Sequence, residues 1–454
     1  MASRGVFILR SGVSGLVKHA VPAHPVQATA LAPAAARRAL GAVALAAMLV
    51  AGVLLGAGAA GQRLYFFVPA ARPGFPDWMR GPLAHLGLRL DPHDGAVLLV
   101  VLFAGYLVAL ACAEQIPARL VIAAIVALHG VFLLAPPLFS ADVFGYIDYA
   151  RLGAIHGLDP YTHGALSAPG DDVAQFVRWH NIPSPYGPLF TLASYTLAHL
   201  SVAVTLWVYK VLAAVAGLGC VALVWRLAAR TGQQPRRAAI LVGLNPLFVV
   251  YGVGGAHNDL LMQLLVLGAI ASVLHQRDGA AGTQIALAAL TKASAGLVAP
   301  FLIAGAHRPA RAFVAALAAV VVVGLAGLAI IGKHEFEFVA QLFTQQELVA
   351  LYSVPNQLGV LLGQDGLTAP VRAACTAAFV LAVLWLLLRA WRGANWIACA
   401  GWATLAALMT SAWLTPWYVV WLLPLAAIAP SRPLRLATLM FCAYVLLTRV
   451  VYYL

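Results

Sequence analysis

The feature that most limits what this chain can become is a series of apolar runs, each about as long as a bilayer is thick. A membrane-crossing helix needs about 20 mostly apolar residues. Runs of that kind occupy 38–61, 95–114, 118–138, 203–226, 237–255, 259–276, 312–332, 368–389, 393–412, 415–430 and 434–453, eleven in all. Two further pieces are too short or too interrupted to cross. One is 188–201; the other, 283–305, carries Lys292 at its centre and reads as a re-entrant hairpin of two half-length helices. Of 454 residues, 63% are hydrophobic and 9% charged, whereas a soluble domain carries about 25% charged residues. The expected fold class is an all-α polytopic membrane protein of about 13 segments. A soluble enzyme, a nucleic-acid-binding module and a disordered scaffold are excluded.

The net charge of +13 then reads as orientation charge rather than a nucleic-acid footprint, because cytoplasmic turns collect Lys and Arg. With the N-terminus cytoplasmic, Arg119, Arg226, Arg230, Arg236, Arg237, Arg277, Arg308, Arg311, Arg389, Arg392, Arg432 and Arg435 all face the cytoplasm. Together with Arg4, Arg10 and Lys18 of the basic tail 1–36, and Arg37 and Arg38 just after it, they make 17 of the 28 Lys and Arg, and only Glu114 and Asp278 of the 15 acids share that side. Arg277 and Arg308 fall on one side only if an even number of crossings separates them, which is why 283–305 is split. The unit 37–454 is therefore a transmembrane domain with extracytoplasmic loops 62–94, 139–187 and 333–367, the last holding an amphipathic segment suited to the membrane surface. Cys112, Cys220, Cys375, Cys399 and Cys442 lie in apolar runs without CxxC or zinc spacing, so no metal and no cofactor is expected.

The middle loop carries the chemistry. Pro136-Pro137 ends a span, Ser140 can cap, and a short helix follows in which Asp142 and Tyr146, four apart, share a face. Asp148 and Arg151, three apart, are expected to pair. A carboxylate at the membrane exit without a basic neighbour on its turn is a competent proton acceptor; the plainer role for Asp142 is satisfying helix N–H groups. Asp171-Asp172 reads as a solvated turn, and Ser184-Pro185-Tyr186-Gly187-Pro188 as a rigid corner with Tyr186 at the interface. His257-Asn258-Asp259 opens a span, where Asn258 or Asp259 suits an N-cap. Trp417 and Tyr418 suit either an interfacial belt or a groove wall. Lys292 inside a hairpin is costly unless it meets an anion, a structural acid or water. A lipid or sugar transporter or flippase is the rival class, but it wants repeats and charges deep in several spans. The chain has no internal repeat and offers mainly Lys210 and Lys292.

Several ordered blocks resemble the GT-C membrane glycosyltransferases, and most nearly the polyprenyl-phosphate-mannose-dependent α-1,6-mannosyltransferases of actinobacterial type. They are Asp142-Val143-Phe144-Gly145-Tyr146, His156-Gly157-Leu158-Asp159-Pro160-Tyr161, Ser184-Pro185-Tyr186-Gly187-Pro188-Leu189-Phe190, Asn245-Pro246-Leu247, Gly254-Gly255-Ala256-His257-Asn258-Asp259, Lys292-Ala293-Ser294, Tyr352-Ser353-Val354-Pro355-Asn356 and Pro416-Trp417-Tyr418. The chain departs from the family pattern at Asp159, where Asn is usual before Pro-Tyr, and around Asp171-Asp172 and Trp179-His180-Asn181. The resemblance implies a sugar, mannose or a related one, moved with inversion from a polyprenyl-phosphate donor to a cell-envelope glycan or glycolipid outside the plasma membrane. It places the catalytic base at Asp142. Around it, donor- and acceptor-binding residues would be Tyr146, Asp148, Arg151, Tyr186, His257, Asn258, Asp259, Lys292, Trp417 and Tyr418, with Lys292 the leading partner for the lipid phosphate.

Overall fold

The computed structural model describes residues 28–61 and 76–453; among them every regular element is helical. The basic segment 1–27 and part of the first long loop, 62–75, lie outside the described residues.

Among the described residues, six helices are long and apolar enough to cross a bilayer: Pro33–Gly61, Pro92–Ala111, Val202–Arg230, Pro309–Ile330, Ala369–Trp391 and Arg432–Val451. The other five expected crossings take different forms. Ala118–Leu134, Asp259–Leu274 and Trp396–Thr410 have 17, 16 and 15 residues. At 1.5 Å per residue these reach about 23–26 Å, short of a hydrocarbon core about 30 Å thick. A fourth is Val419–Ile428 behind the 3-10 turn Pro416–Tyr418. The fifth is bent: Pro235–Gly243 and the π-helix Leu247–Val253 meet at 49°. The break falls at Asn245-Pro246, where proline removes a backbone donor and Asn245 Oδ1 accepts from the Leu247 N–H at 2.9 Å.

These short elements all stop at the end that meets loop 139–187. Pro136-Pro137 halts the first, His257-Asn258 separates the bent pair from Asp259–Leu274, and Trp413 at the end of another lies edge-on to Trp179 of the loop. Apolar length in the sequence overstated helix length because prolines and polar residues cut each helix there. Beside that loop, Asp142 meets His257, Tyr146 meets Asn258 and Trp179 meets Trp413.

Segment 278–308 closes on itself. The Asp278 carboxylate accepts from the backbone N–H groups of His307 and Arg308, at 3.3 and 2.9 Å. Between them run Asp278–Thr291, a single extended residue at Lys292 (φ −152°, ψ 122°), Ala293–Leu297 and Ala299–Gly305. In segment 333–367, Glu337–Glu347 leans on the middle loop, with Gln341 donating to the Tyr161 carbonyl at 3.3 Å.

Candidate active site

Four limbs converge at these helix ends. The first is the loop helix Asp142–Ala154. Ser140 Oγ accepts from the Asp142 N–H at 3.1 Å, while Ala141 holds the N-cap place. The Asp142 side chain is 19% exposed, and its Oδ2 lies 3.6 Å from His257 Nδ1. One turn on, the Tyr146 hydroxyl meets both the side-chain oxygen and the backbone N–H of Asn258, each at 3.4 Å. The ring of Tyr146 stands edge-on to Tyr186 at 4.9 Å.

The second limb is the turn into Asp259–Leu274. Asn258 sits at the N-cap position without a side-chain capping bond, so the capping role expected of this pair is not what their side chains perform. Asp259, fully buried, instead accepts from Lys292 Nζ at 2.8 Å and from Trp421 Nε1 at 2.6 Å. His257, without exposed side-chain surface, stacks on Trp417 with centroids 3.9 Å apart.

The third limb is the hairpin apex. The proline-glycine corner rests on it: the Gly187 N–H donates to the Thr291 carbonyl at 3.2 Å, and a Cβ on Gly187 would collide with the Leu290 carbonyl oxygen. Only glycine lets the corner come this close. Its neighbour Tyr186 then faces Lys292 at 5.9 Å, and from the fourth limb Tyr418 and Trp421 face the same ammonium at 5.2 and 5.7 Å. Lys292 thus balances a buried acid and lies within cation–π range of three rings. Its side chain keeps 14% exposure, and an ammonium has three donors, of which Asp259 takes one. Trp417 and Tyr418 pack inward, one stacked on His257 and the other on Trp421.

Two expectations fail on the outer side of the loop helix. Arg151 does not pair with Asp148; its Nε reaches both oxygens of Asp171 at 2.8 and 3.0 Å. Asp171 is not a solvated loop acid either, for His156 Nε2 adds a contact at 2.7 Å and the carboxylate is 2% exposed. Burial pushes Asp171 upward, but hydrogen bonds from Arg151 and His156 outweigh it and hold its pKa below the ordinary carboxylate value. The guanidinium is also held from its other arm, where Nη1 donates to the Ala198 carbonyl at 3.0 Å, and spacing along the helix reveals neither contact. Asp148 is left buried, and desolvation with Asp171 nearby lifts its pKa to about 7. Its electrostatic neighbours are Asp171 and Arg151, whereas those of Asp142 are Lys292 and Asp259. Arg151 and Asp148 therefore belong to a clip behind the site.

Desolvation, the largest influence on Asp142, raises its pKa to about 6; Lys292, Ser140 and Arg178 pull it down, and Asp259 adds to the rise. A carboxylate tuned this way is a stronger base than an exposed one and remains ionised near neutrality. Sequence reasoning missed Trp421 and Arg178 as site residues. Trp421 was accessible from spacing, being three and four residues beyond Tyr418 and Trp417 on one helical face. Asp159, the departure from Asn, accepts from the Tyr161 N–H at 2.8 Å, a turn bond that either side chain makes. Beside Trp421, a cavity of about 190 Å³ is lined by Met262, Val266, Leu297, Phe379 and Thr404. The exposed group Asp91, His93 and Asp94 has ligand atoms close together, but its two carboxylates form the capping box of Pro92–Ala111.

Fold and site together define a polytopic helical membrane protein in which Asp142, His257, Asp259 and Lys292 cluster among aromatic rings. The N-terminal domain model of alpha-(1->6)-mannopyranosyltransferases matches residues 30–308, and the MptB C-terminal domain matches 349–451. The chain belongs to the alpha-(1->6)-mannopyranosyltransferase family. It is 33% identical over 218 residues to alpha-(1->6)-mannopyranosyltransferase A of Mycobacterium tuberculosis, covering 44% of this chain and 41% of that protein. The protein of the same name from Corynebacterium glutamicum is 32% identical over 179 residues, 38% of this chain and 36% of the relative. A Mycolicibacterium smegmatis protein named "Probable alpha-(1->6)-mannopyranosyltransferase" is 28% identical over 362 residues, 68% of this chain and 65% of the relative. The chain thus spans less than two thirds of the length of each of these relatives. No solved structure matches it.

Proposed function

We propose that the chain is a GT-C-type mannosyltransferase of the plasma membrane, transferring mannose from a polyprenyl-phosphate donor to a cell-envelope glycan or glycolipid hydroxyl, with its N-terminus cytoplasmic and its active site extracytoplasmic. The observation that carries this reading is the cluster that links Asp142 to Lys292 through His257 and Asp259, with contacts of 3.6, 4.0 and 2.8 Å. The acceptor hydroxyl attacks the anomeric carbon, the bond from that carbon to the phosphate oxygen breaks, and the hydroxyl proton passes to Asp142. Attack from the face opposite the phosphate inverts the centre, β to α. No general acid is needed, because phosphate leaves as an anion, unlike the leaving groups of glycosidases.

Charge supports the assignments. The donor's phosphodiester carries one negative charge and the departing polyprenyl phosphate monoester two, so charge grows on the phosphate as the bond breaks. A cation there stabilises the transition state more than the ground state, and Lys292 has N–H donors left after Asp259. Asp142 loses its charge in the same step. Tyr146, Asn258 and His257 are assigned to the sugar side. Tyr186, Trp417, Tyr418 and Trp421 form its walls, and the cavity beside Trp421 is assigned to the first part of the lipid. The full set of eleven crossings, five of them shortened or broken, belongs to this reading, since the short elements end beside the loop, where an aqueous acceptor can meet a lipid-borne donor. The test is donor-dependent transfer by the purified chain, with polyprenyl-phosphate mannose and a mannoside acceptor in detergent. Formation of a new α-linked mannoside supports the reading; donor translocation across vesicles without transfer overturns it in favour of a transporter.

A further inference from the structure

Lys210 lies within the long helix Val202–Arg230 and has no exposed surface, and nothing in the mechanism above uses it. Its Nζ donates to three backbone carbonyls: Phe132 at 2.6 Å, Gly254 at 2.9 Å and Pro136 at 3.4 Å. Among the described residues no carboxylate lies within ion-pair distance of it. The sequence explains one of these acceptors. In a continuing helix the Phe132 carbonyl would accept from residue 136, but that residue is Pro and has no N–H. The Gly254 carbonyl, just past the π-helix, accepts from the Leu138 N–H as well, at 3.1 Å.

The acceptors belong to the two limbs that carry Asp142 and His257. Six residues beyond Pro136 is Asp142, and three beyond Gly254 is His257, and these side chains stand 3.6 Å apart. Each limb passes through a non-glycine residue in the left-handed region, Phe139 at φ 60° and Ala256 at φ 56°. The first limb is also stacked on the second, Phe139 on Tyr251 with centroids 4.6 Å apart. Such backbone strain persists only where the surroundings hold it. A buried ammonium is an expensive filler where Met or Leu would pack, so its use here needs a reason beyond packing.

We propose that Lys210 is a positioning residue for the transfer reaction, tying the Asp142 limb to the His257 limb through their backbones and setting the base without touching substrate. The proposal rests on Asp142 being the base, and the test separates the two. The full-length chain carrying Lys210→Met is compared with wild type for steady-state transfer and for hydrogen–deuterium exchange by peptide. A misplacement of about 1 Å costs about a hundredfold in rate, so kcat is expected to fall by about that factor with the donor KM nearly unchanged. Exchange is expected to quicken in peptides covering 138–142 and 254–258 and to stay at the wild-type rate in the hairpin 278–308. Lys210→Gln, which keeps two donors on a shorter stem, is expected to show the same pattern with a smaller kcat loss, and it carries the test if the Met variant does not accumulate. A kcat within about twofold of wild type overturns the proposal, as does exchange that quickens evenly over the whole chain. If wild type transfers no mannose, the mannosyltransferase reading fails, while the exchange arm still decides whether Lys210 ties the two limbs.

Discussion

Replacing Lys292 by Met tests the lysine's two roles at once, and the structure says how to separate them. Asp259 has no exposed side-chain surface; Lys292 Nζ donates to it at 2.8 Å and Trp421 Nε1 at 2.6 Å, and His257 Nδ1 lies farther off at 4.0 Å. Removing the ammonium strands a buried carboxylate, a change that costs about 3–5 kcal/mol when one member of a buried pair is lost. Loss of thermal stability in Lys292→Met is therefore expected whether or not the lysine also binds phosphate. The double variant Lys292→Met, Asp259→Asn removes both charges, keeps an acceptor for Trp421, and is expected to recover most of the lost stability. Phosphate binding is expected to stay weak in it. A charge-assisted hydrogen bond contributes about 1.5–3 kcal/mol, so the affinity for polyprenyl phosphate should drop by about tenfold to a hundredfold. The assay is thermal unfolding in detergent beside equilibrium binding of polyprenyl phosphate, for wild type and both variants. A double variant that regains stability and binds polyprenyl phosphate as tightly as wild type would refute the phosphate assignment.

Three further outcomes follow. Asp142 must be ionised to act as a base, and its pKa lies at about 6 among Lys292, Asp259, Arg178 and His257. Transfer should therefore rise with pH through about 6 and level above it, and Lys292→Met should move that limb to higher pH by removing a charge that lowers the Asp142 pKa; a rate flat from pH 5 to 8 would contradict this. Asp171 is held below its ordinary pKa, so its contribution to stability is present above the unfolded carboxylate value near 3.9 and is lost as pH falls through the folded value. Asp171→Asn should loosen the clip to Arg151 and His156 by about 1.5–3 kcal/mol, read as faster proteolysis within 156–182 at neutral pH. Finally, a cysteine at position 172 should react with an impermeant reagent from outside the cell and one at position 234 should not; the reverse pattern would invert the proposed orientation.

Much of this architecture is legible in the sequence because the bilayer imposes a simple rule: apolar runs become helices and basic residues mark one side. The rule gives where helices lie but overstates their length wherever prolines or polar residues end them early, as at Pro136-Pro137 and Asn245-Pro246. Asp142, Lys292 and the His257–Asp259 turn stand out because polar groups beside apolar runs are costly and few. Their partners are not legible, since Lys292 and Asp259 are 33 residues apart and only the folded hairpin brings them together. Local spacing misled at Arg151, where the three-residue step to Asp148 looked favourable but the Asp171 carboxylate and the Ala198 carbonyl, both distant in sequence, hold its guanidinium. The role of Pro136 was half visible: it plainly ends a helix, but the carbonyl it leaves free, and Lys210 as its donor, appear only in three dimensions.

The central claim is that Asp142 takes the acceptor proton in a mannosyl transfer on this scaffold, and it is tested most directly by Asp142→Asn beside wild type, each purified and given labelled polyprenyl-phosphate mannose and acceptor. The amide preserves size but cannot take the proton, and general-base catalysis contributes about two to four orders of magnitude. The account predicts that wild type forms labelled mannoside, and that Asp142→Asn binds donor with near-normal affinity while turning over at least about a hundredfold more slowly. Turnover of the variant above about a tenth of the wild-type rate, well outside that range, would contradict it.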